Sequence, residues 1–476
     1  MNLHAQFPFF SKLIRVIRNY FPLRLWILLV FYLLINNGFF WLFNALAFSQ
    51  RYVIVLEYIW ILPLLCLRKK WALILFSLAY TGIYIIDLLY WIKQFYHYDN
   101  LIEFIGLLRF LPEAPRLYWL YIAILLLYLV VSQFIIIKYI ARFASPKMVL
   151  PLAGLYLIFN VFFFDYRGVN LSSRYVTTGW WGSYYETIQN LKFNREFFWR
   201  GTLKPEFYDW PNGGVLQKQI NMQQPPKKIL FILNESWGIF IPDGKKINPS
   251  VYAPLLDLPN VQFIAQGQNP AEHSTIMGEI RELCDLKAKS PNFVLGPYKK
   301  FEQCVPLRLQ KQGYQVQAFH ASYAKMYDRK DWYPHMGLQN ARFFPQFSNI
   351  QQCHSYPGAC DYNIVHDISI ANREAKDKSF IYWLTLNTHH PYSERDMLGQ
   401  NRFDCKQALF EGREEACRNL NLQHQFFQIV ADEIKANGFK ETDIIVVGDH
   451  SPPIMLDKYK DSFERDSVPF IHIRVQ

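Results

Sequence analysis

Charge is scarce in the first third of this sequence, and several informative patterns are missing from all of it. Residues 1–165 hold six acidic side chains, and Leu25–Phe48 has no charged residue over 24 positions. A run of that length without charge is long enough to cross a bilayer. No C-x-x-C pair occurs among the seven cysteines, so the spacing expected of a zinc cluster is absent. No internal repeat or low-complexity tract is present, which argues against solenoids and disordered arrays. The net charge of +11 invites a nucleic-acid reading, but its distribution opposes one. Residues 1–165 carry 14 basic side chains, a balance of +8, and the rest of the chain only +3. The excess lies beside apolar segments, where it acts as a topology signal. No nucleic-acid partner is expected.

What is present is apolar and aromatic: 51% hydrophobic and 17% aromatic residues in 476, enough for two or three domains. Five segments read as membrane spans: Leu25–Phe48, Tyr52–Leu67, Trp71–Ile92, Leu117–Ile137 and Met148–Phe164. Lys12, Arg15, Arg18, Arg24, Arg68, Lys69, Lys70, Lys138, Arg142 and Lys147 flank one set of ends, against Arg51, Lys93, Arg109 and Arg116 on the other. Ten against four places the N-terminus inside and everything after residue 165 outside. Ala45-Leu46-Ala47 resembles a signal cleavage site. The apolar run is too long for a signal peptide, and four more spans follow, so an uncleaved anchor is expected. Glu57 and Asp87, near span ends, are expected at the interface. Gln94–Pro115 is expected along the outer membrane surface. Residues 166–227, with Trp180-Trp181, Tyr184-Tyr185 and Phe197-Phe198-Trp199, read as an interfacial helical linker, with core packing of these aromatics the alternative.

From residue 228 to 476, short apolar runs alternate with longer amphipathic ones. Strands are expected at Ile229–Leu233, Val316–Phe319, Phe380–Leu386, Asp443–Val447 and Val468–Ile473, and a long helix within Lys406–Asn437. This alternation predicts an α/β domain with a largely parallel sheet. Cys66 lies in a span; the other six cysteines lie in the exterior part. Six cysteines allow fifteen connectivities. Sequential spacing suggests local loops closed by Cys284–Cys304, Cys353–Cys360 and Cys405–Cys417, which an oxidising compartment permits.

Candidate chemistry gathers at strand ends. The first exterior strand delivers Glu235 at its carboxyl end, where open α/β sheets collect ligands. Asp443–Val447 ends in Gly448-Asp449-His450, an oxygen and a nitrogen ligand together. Phe380–Leu386 runs into Asn387-Thr388-His389-His390-Pro391-Tyr392. Val316–Phe319 is followed by His320, Tyr327 and Arg329. Gln268–Glu279 places Ser274 and Thr275 at a helix start, where ordinary N-capping is the plainer role. The plainer alternatives elsewhere are solvated loop histidines, a surface ion pair for Arg329 and a cap or turn role for Glu235. Their concentration at the strand ends of one domain favours a single site.

Glu235 after the first strand, Thr275 at a helix start, the histidine–proline segment and Gly448-Asp449-His450 together resemble the alkaline phosphatase/sulfatase superfamily. With five N-terminal spans, the chain resembles its membrane branch, the lipoteichoic acid synthases and lipid A phosphoethanolamine transferases. The resemblance implies a sulfatase-like α/β domain outside a bacterial cytoplasmic (inner) membrane, facing the periplasm. It implies that Glu235, Thr275, Asp449 and His450 hold one divalent metal, Zn or Mn. Thr275 would be the nucleophile and His389 a catalytic acid, while His320, Tyr327, Arg329 and His390 line the phosphate and head-group pocket. The donor would be a membrane phospholipid and the acceptor an envelope glycan or glycolipid. The three disulfides are closer to the phosphoethanolamine transferases. Two departures stand out. Ser451–Asp466 contains no histidine, which leaves a second metal and ethanolamine specificity open. Ser274–Gly278 lacks the C/S-x-P-x-R motif of true sulfatases, which disfavours sulfate-ester hydrolysis. A membrane-anchored phosphodiesterase or phosphatase passing the group to water, or a non-catalytic binding protein on the same fold, are the alternatives.

Overall fold

Leucine-rich apolar runs favour helix, because unbranched side chains lose little rotamer freedom there, and the described N-terminal segments fold accordingly. The computed structural model describes residues 23–47, 58–93, 111–113, 116–146, 149, 204–272, 274–347, 351–375 and 377–476. Two units separate: Met1–Tyr96 with Arg116–Glu196, and His97–Pro115 with Phe197–Gln476.

In the first unit the helices are α1 (Leu23–Ala47), α2 (Tyr58–Cys66), α3 (Lys70–Lys93) and α4 (Arg116–Ile135), the last extended by a π turn over Ile136–Ile140. Buried polar groups join them. The Tyr32 hydroxyl donates to Tyr58 O at 2.6 Å, Tyr80 to Asn36 Oδ1 at 2.9 Å, and Gln133 Nε2 to Thr81 Oγ1 at 2.9 Å. Such bonds hold apolar helices in register where hydrophobic contrast cannot. Five spans are expected from the sequence. Among the described residues one helix, Trp119–Ile140, is long and apolar enough to cross a membrane, with 22 residues and a mean hydropathy of 2.6. Only 11% of that stretch is buried, so its apolar surface faces outward. The expectations for Glu57, for residues 94–110 and 166–203, and for most of Met148–Phe164 lie outside the described residues.

The second unit is built on a seven-stranded sheet: β1 (Lys228–Asn234), β2 (Val261–Pro270), β3 (Gln315–Tyr323), β4 (Ala341–Phe344), β5 (Ser379–Leu384), β6 (Asp443–Gly448) and β7 (Ser467–Val475). Their spatial order is β2-β7-β6-β1-β5-β3-β4. The five strands from β6 to β4 pair in parallel, and β7 pairs antiparallel with both β6 and β2. All five strands expected from the sequence form. β2 and β4 were not foreseen. β2 carries Gln262, Gln266 and Gln268 and is largely exposed, so it lacks the apolar run that marks an interior strand.

Helices α5 (Gly244–Leu256), α6 (Thr275–Cys284), α7 (Asp361–Glu374) and α8 (Glu414–Lys435) cover the sheet. On β1, Leu230 and Ile232 face one core with Phe427 and Ile368, while Ile229, Phe231 and Leu233 face another with Ile280 and Val305. Burial on both faces explains the unbroken apolar run, since no side of this strand meets water. Residues 204–227 are not a purely helical linker. Phe207–Asp209 pairs with Leu286–Ala288, and Phe207, Val215, Leu216 and Ile220 join the second core. α8 falls within Lys406–Asn437, where a long helix is expected. The two carboxylate oxygens of Asp457 accept the Glu415 and Ala416 amides at 2.6 and 2.9 Å and cap its first turn there.

The suggested disulfides all form: Cys284–Cys304, Cys353–Cys360 and Cys405–Cys417. The first ties the end of α6 across a separation of 20 residues. Replacing Cys284 and Cys304 together by alanine should cost about 3 kcal/mol by the loop-closure argument. Urea unfolding of the detergent-solubilised chain, followed by tryptophan fluorescence, checks it; an unchanged midpoint contradicts it.

Candidate active site

Strand register decides what meets at the top of the sheet. Asn234 at the end of β1 lies opposite Gly448 at the end of β6, and Leu233 lies opposite Leu384 of β5. Glu235, Thr385 and Asp449 therefore leave their strands at one level, as parallel sheets arrange their ligand-binding ends.

Glu235 is fixed through its backbone. Its amide donates to Thr385 Oγ1 at 2.8 Å, and its carbonyl accepts from Thr388 Oγ1 at 2.5 Å and Gln423 Nε2 at 2.9 Å. Ser236 follows in the left-handed region at φ 52°, a conformation that costs a non-glycine residue energy and collects at functional sites. Asn419 Nδ2 donates to its carbonyl at 3.1 Å, its amide donates to Asp449 Oδ1 at 2.7 Å, and its hydroxyl donates to Glu235 Oε1 at 2.8 Å. That turn is what aims the two carboxylates at one another.

Thr275 opens α6, after Ser274 in the N-cap position with no side-chain cap bond. Its hydroxyl donates to Glu235 Oε2 at 3.0 Å and lies 3.4 Å from His450 Nε2. The same imidazole nitrogen is 3.4 Å from Glu235 Oε1 and 3.4 Å from Asp449 Oδ2. Glu235, Asp449 and His450 are buried, and Thr275 is partly exposed. The helix approaches this closely because residue 278 is glycine: a Cβ there would stand 2.9 Å from Asp449 O. Gly448 is equally constrained, since a Cβ would meet Trp237 O at 2.1 Å.

The donor set fits a divalent cation. Ligand atoms of Glu235, Asp449 and His450 lie within 4.8 Å of one another. Asp449 Oδ2 is buried without a hydrogen bond, an atom that ordinarily has a partner. Burial, then the Glu235 charge, pushes Asp449 up to about 7. Burial lowers His450, but Asp449 and Glu235 more than offset it and raise it to about 9. Burial raises Glu235, and the nearby His389 and His450 reverse this to a net lowering. Proton and cation thus compete for one place, and mixed oxygen and nitrogen donors suit Zn²⁺ and Mn²⁺ alike. A second cluster, Cys353, Cys360 and Asp396, is not a metal site: the cysteines are disulfide-bonded, and Asp396 accepts the His354 and Ser355 amides.

The remaining expected residues divide. His389 donates from Nδ1 to His390 O at 2.6 Å, and its ring lies 4.3 Å from that of Tyr356. Burial lowers its pKa, against the pull of Glu235. His320 is buried, its Nδ1 3.2 Å from Leu384 O, and burial with Arg329 keeps it neutral. Tyr327, at φ 55°, holds its ring 5.2 Å from the Arg329 guanidinium. Arg329, expected in the pocket or at a surface ion pair, is an interior residue whose Nε and Nη2 both donate to Glu279 Oε2, at 3.0 and 2.8 Å. His390 is directed to Glu415, with Nε2 2.9 Å from Oε1.

Sequence reading missed the residues behind these. Arg281, buried on α6, donates to Asp449 O at 2.9 Å and Gly448 O at 2.8 Å and pairs with Glu282 at 2.6 Å. Glu279, Arg281 and Glu282 read in sequence like the solvated charges of any amphipathic helix.

Residues 264–473 match the family model Sulfatase, a range that holds Thr275, His389, Asp449 and His450 and begins after Glu235. No curated protein matches the chain. Among solved structures it is similar to a protein in the alkaline phosphatase superfamily from Vibrio parahaemolyticus, with TM-score 0.38, 18% identity, and coverage of 53% of this chain and 60% of that one. It is similar to the lipoteichoic acid synthase LtaP from Listeria monocytogenes, with TM-score 0.34, 16% identity and coverages of 52% and 65%. It is also similar to the integral membrane lipooligosaccharide phosphoethanolamine transferase A from Neisseria meningitidis, with TM-score 0.41, 12% identity and coverages of 86% and 81%. The chain spans less than two thirds of the Vibrio and Listeria proteins.

Cation affinity should depend on pH with a definite sign. The metal-free trio carries protons on Asp449 up to about 7 and on His450 up to about 9, and binding must displace them. Mn²⁺ affinity, titrated calorimetrically, should rise between pH 6 and 9, by up to about tenfold per pH unit for each proton displaced. A flat profile, or unchanged affinity in Asp449→Ala, would show that the cation binds elsewhere.

Proposed function

We propose, from the premise that this chain carries a Sulfatase-family domain, that it is a metal-dependent head-group transferase. It moves phosphoethanolamine or phosphoglycerol from a membrane phospholipid to an envelope glycan or glycolipid, through a covalent phosphothreonine at Thr275. The observation that carries this reading is one partly exposed hydroxyl set against three buried ligand groups, with Thr275 Oγ1 3.0 Å from Glu235 Oε2.

Glu235, Asp449, His450 and the Thr275 hydroxyl would hold one divalent ion, which would supply Lewis-acid stabilisation of negative charge on the threonine and phosphate oxygens. The protein supplies the rest. Thr275 releases its proton along its hydrogen bond to Glu235, and its oxygen attacks phosphorus. The bond from phosphorus to the diacylglycerol oxygen breaks, and His389 gives that oxygen a proton. His389 is aimed for this by its Nδ1–H bond to His390 O, which leaves Nε2 to exchange protons, and an anionic phosphate beside it favours the charged form. In the second half the acceptor hydroxyl gives its proton back to His389 and attacks phosphorus, and the bond to Thr275 breaks as Glu235 returns the proton to the threonine oxygen. His320 and Tyr327 line the head-group pocket, and Arg329 supports it from behind through Glu279.

Placement follows from the substrates. Donor and leaving group are both lipids, and Trp119–Ile140 is long and apolar enough to anchor the chain beside them. Five spans with the N-terminus inside a bacterial cytoplasmic membrane put the catalytic domain in the periplasm. The basic-residue distribution and three disulfides support that orientation.

The test is a mass measurement. Chain incubated with phosphatidylethanolamine or phosphatidylglycerol vesicles should acquire the mass of one phospho-head-group on the Thr275 peptide. Thr275→Ala should lose that adduct and at least about 10³-fold in diacylglycerol release, with Mn²⁺ binding largely kept. Full activity in that variant, or an adduct on another residue, ends the assignment. Free phospho-head-group in place of a modified acceptor assigns the same site to a hydrolase.

A further inference from the structure

His390 and Glu415 form a buried pair that the reaction above does not use. Glu415 is fully buried at the start of α8. Its Oε2 accepts the Met455 and Leu456 amides at 2.7 and 2.6 Å. Its Oε1 stands 2.9 Å from His390 Nε2, an ion-pair contact outside the angle of a linear hydrogen bond, and neither atom has a hydrogen-bond partner. Burial raises the Glu415 carboxyl, while His390 and the two amides more than offset it and lower it overall. A buried carboxylate with one oxygen on backbone amides and the other facing a single imidazole is held ionised for that imidazole.

The partners of this carboxylate belong to the two loops that flank the site. Met455 and Leu456 follow Asp449 and His450 on the segment after β6. His390 follows His389 on the segment after β5. A second tie runs alongside: the Tyr392 hydroxyl donates to Pro453 O at 3.1 Å, with Tyr392 itself at φ 54° and its carbonyl accepting from Arg418 Nε at 3.3 Å. The same segment caps α8 through Asp457. Glu415 is therefore a cross-brace, one oxygen on the loop that carries the cation ligands and the other on the loop that carries His389.

We infer that Glu415 is a positioning residue for proton transfer, acting through His390 on His389. His389 takes its orientation from the His390 carbonyl, and that carbonyl is placed by whatever anchors the His390 side chain. Glu415 is that anchor. A displacement of about 1 Å in a catalytic group can cost on the order of 10²-fold, so the brace sets whether the imidazole reaches the leaving oxygen. This inference rests on the transferase reading, and specifically on His389 as the acid.

The test varies the leaving group. Release of diacylglycerol needs a proton, because an alkoxide is a poor leaving group; release of p-nitrophenolate does not. Wild type, Glu415→Ala, His390→Phe and the double variant are assayed on fluorescent-acyl phosphatidylethanolamine and phosphatidylglycerol vesicles and on bis(p-nitrophenyl) phosphate. For both single variants the expected result is a fall of about 10- to 100-fold in kcat on the lipid, KM within about twofold, and aryl-ester turnover within about threefold. The double variant should be no worse than Glu415→Ala alone, because the two side chains act as one contact. His390→Phe keeps a ring of similar bulk and leaves the Glu415 contacts to the Met455 and Leu456 amides in place, so it keeps the test open if Glu415→Ala does not fold. A parallel fall on both substrates, or no fall on either, overturns the positioning role. Aryl-ester turnover by wild type without any lipid turnover overturns the transferase reading instead.

Discussion

Two buried carboxylates aimed at the same point govern this structure. Glu235 and Asp449 end neighbouring parallel strands, share the Ser236 turn and point toward one imidazole. Like charges so placed cannot both stay ionised without a positive partner. A proton on the Asp449–His450 pair is one such partner and a divalent cation is another. Surrounding features keep the pair from relaxing: Thr385, Thr388, Asn419 and Gln423 grip the first turn after β1, and Arg281 grips the carbonyls of Gly448 and Asp449.

Burial and exposure then divide the labour. The ligand groups lie inside, where their interactions are strong and their positions fixed by packing. The threonine lies at the edge and is partly exposed. Helix α6 holds both arrangements together, with Gly278 giving way to Asp449, Glu279 anchoring Arg329, and Arg281 anchoring the β6 loop. One ten-residue helix thus carries Thr275 and braces two of the segments around it.

Much of this was legible in the sequence for a physical reason. Strands buried on both faces leave unbroken apolar runs, so β1, β5 and β6 announce themselves, and polar residues at their ends stand out against that background. Glu235, Asp449, His450 and His389 were visible in this way. β2 was not, because an exposed edge strand of glutamines has no apolar signature. Arg281, Glu279 and Glu415 were not, because a buried charge with a distant partner is written in sequence just like a solvated one. Glu415 meets residues 25 and 40 positions away. His390 was legible as a histidine beside the site, but its direction toward Glu415 needed the three-dimensional pairing.

The three strands that deliver Glu235, His389 and Asp449 are central in the sheet and far apart along the chain: β1 contacts β5 across about 150 residues and β6 across about 214. Pairings of such long range form late, since loop closure must be met before they reward it. The cluster of Glu235, Asp449 and His450 is consequently a record of completed folding. A partly folded chain presents Glu235, Asp449 and His450 separately, and the cluster cannot assemble until the last central strand has docked.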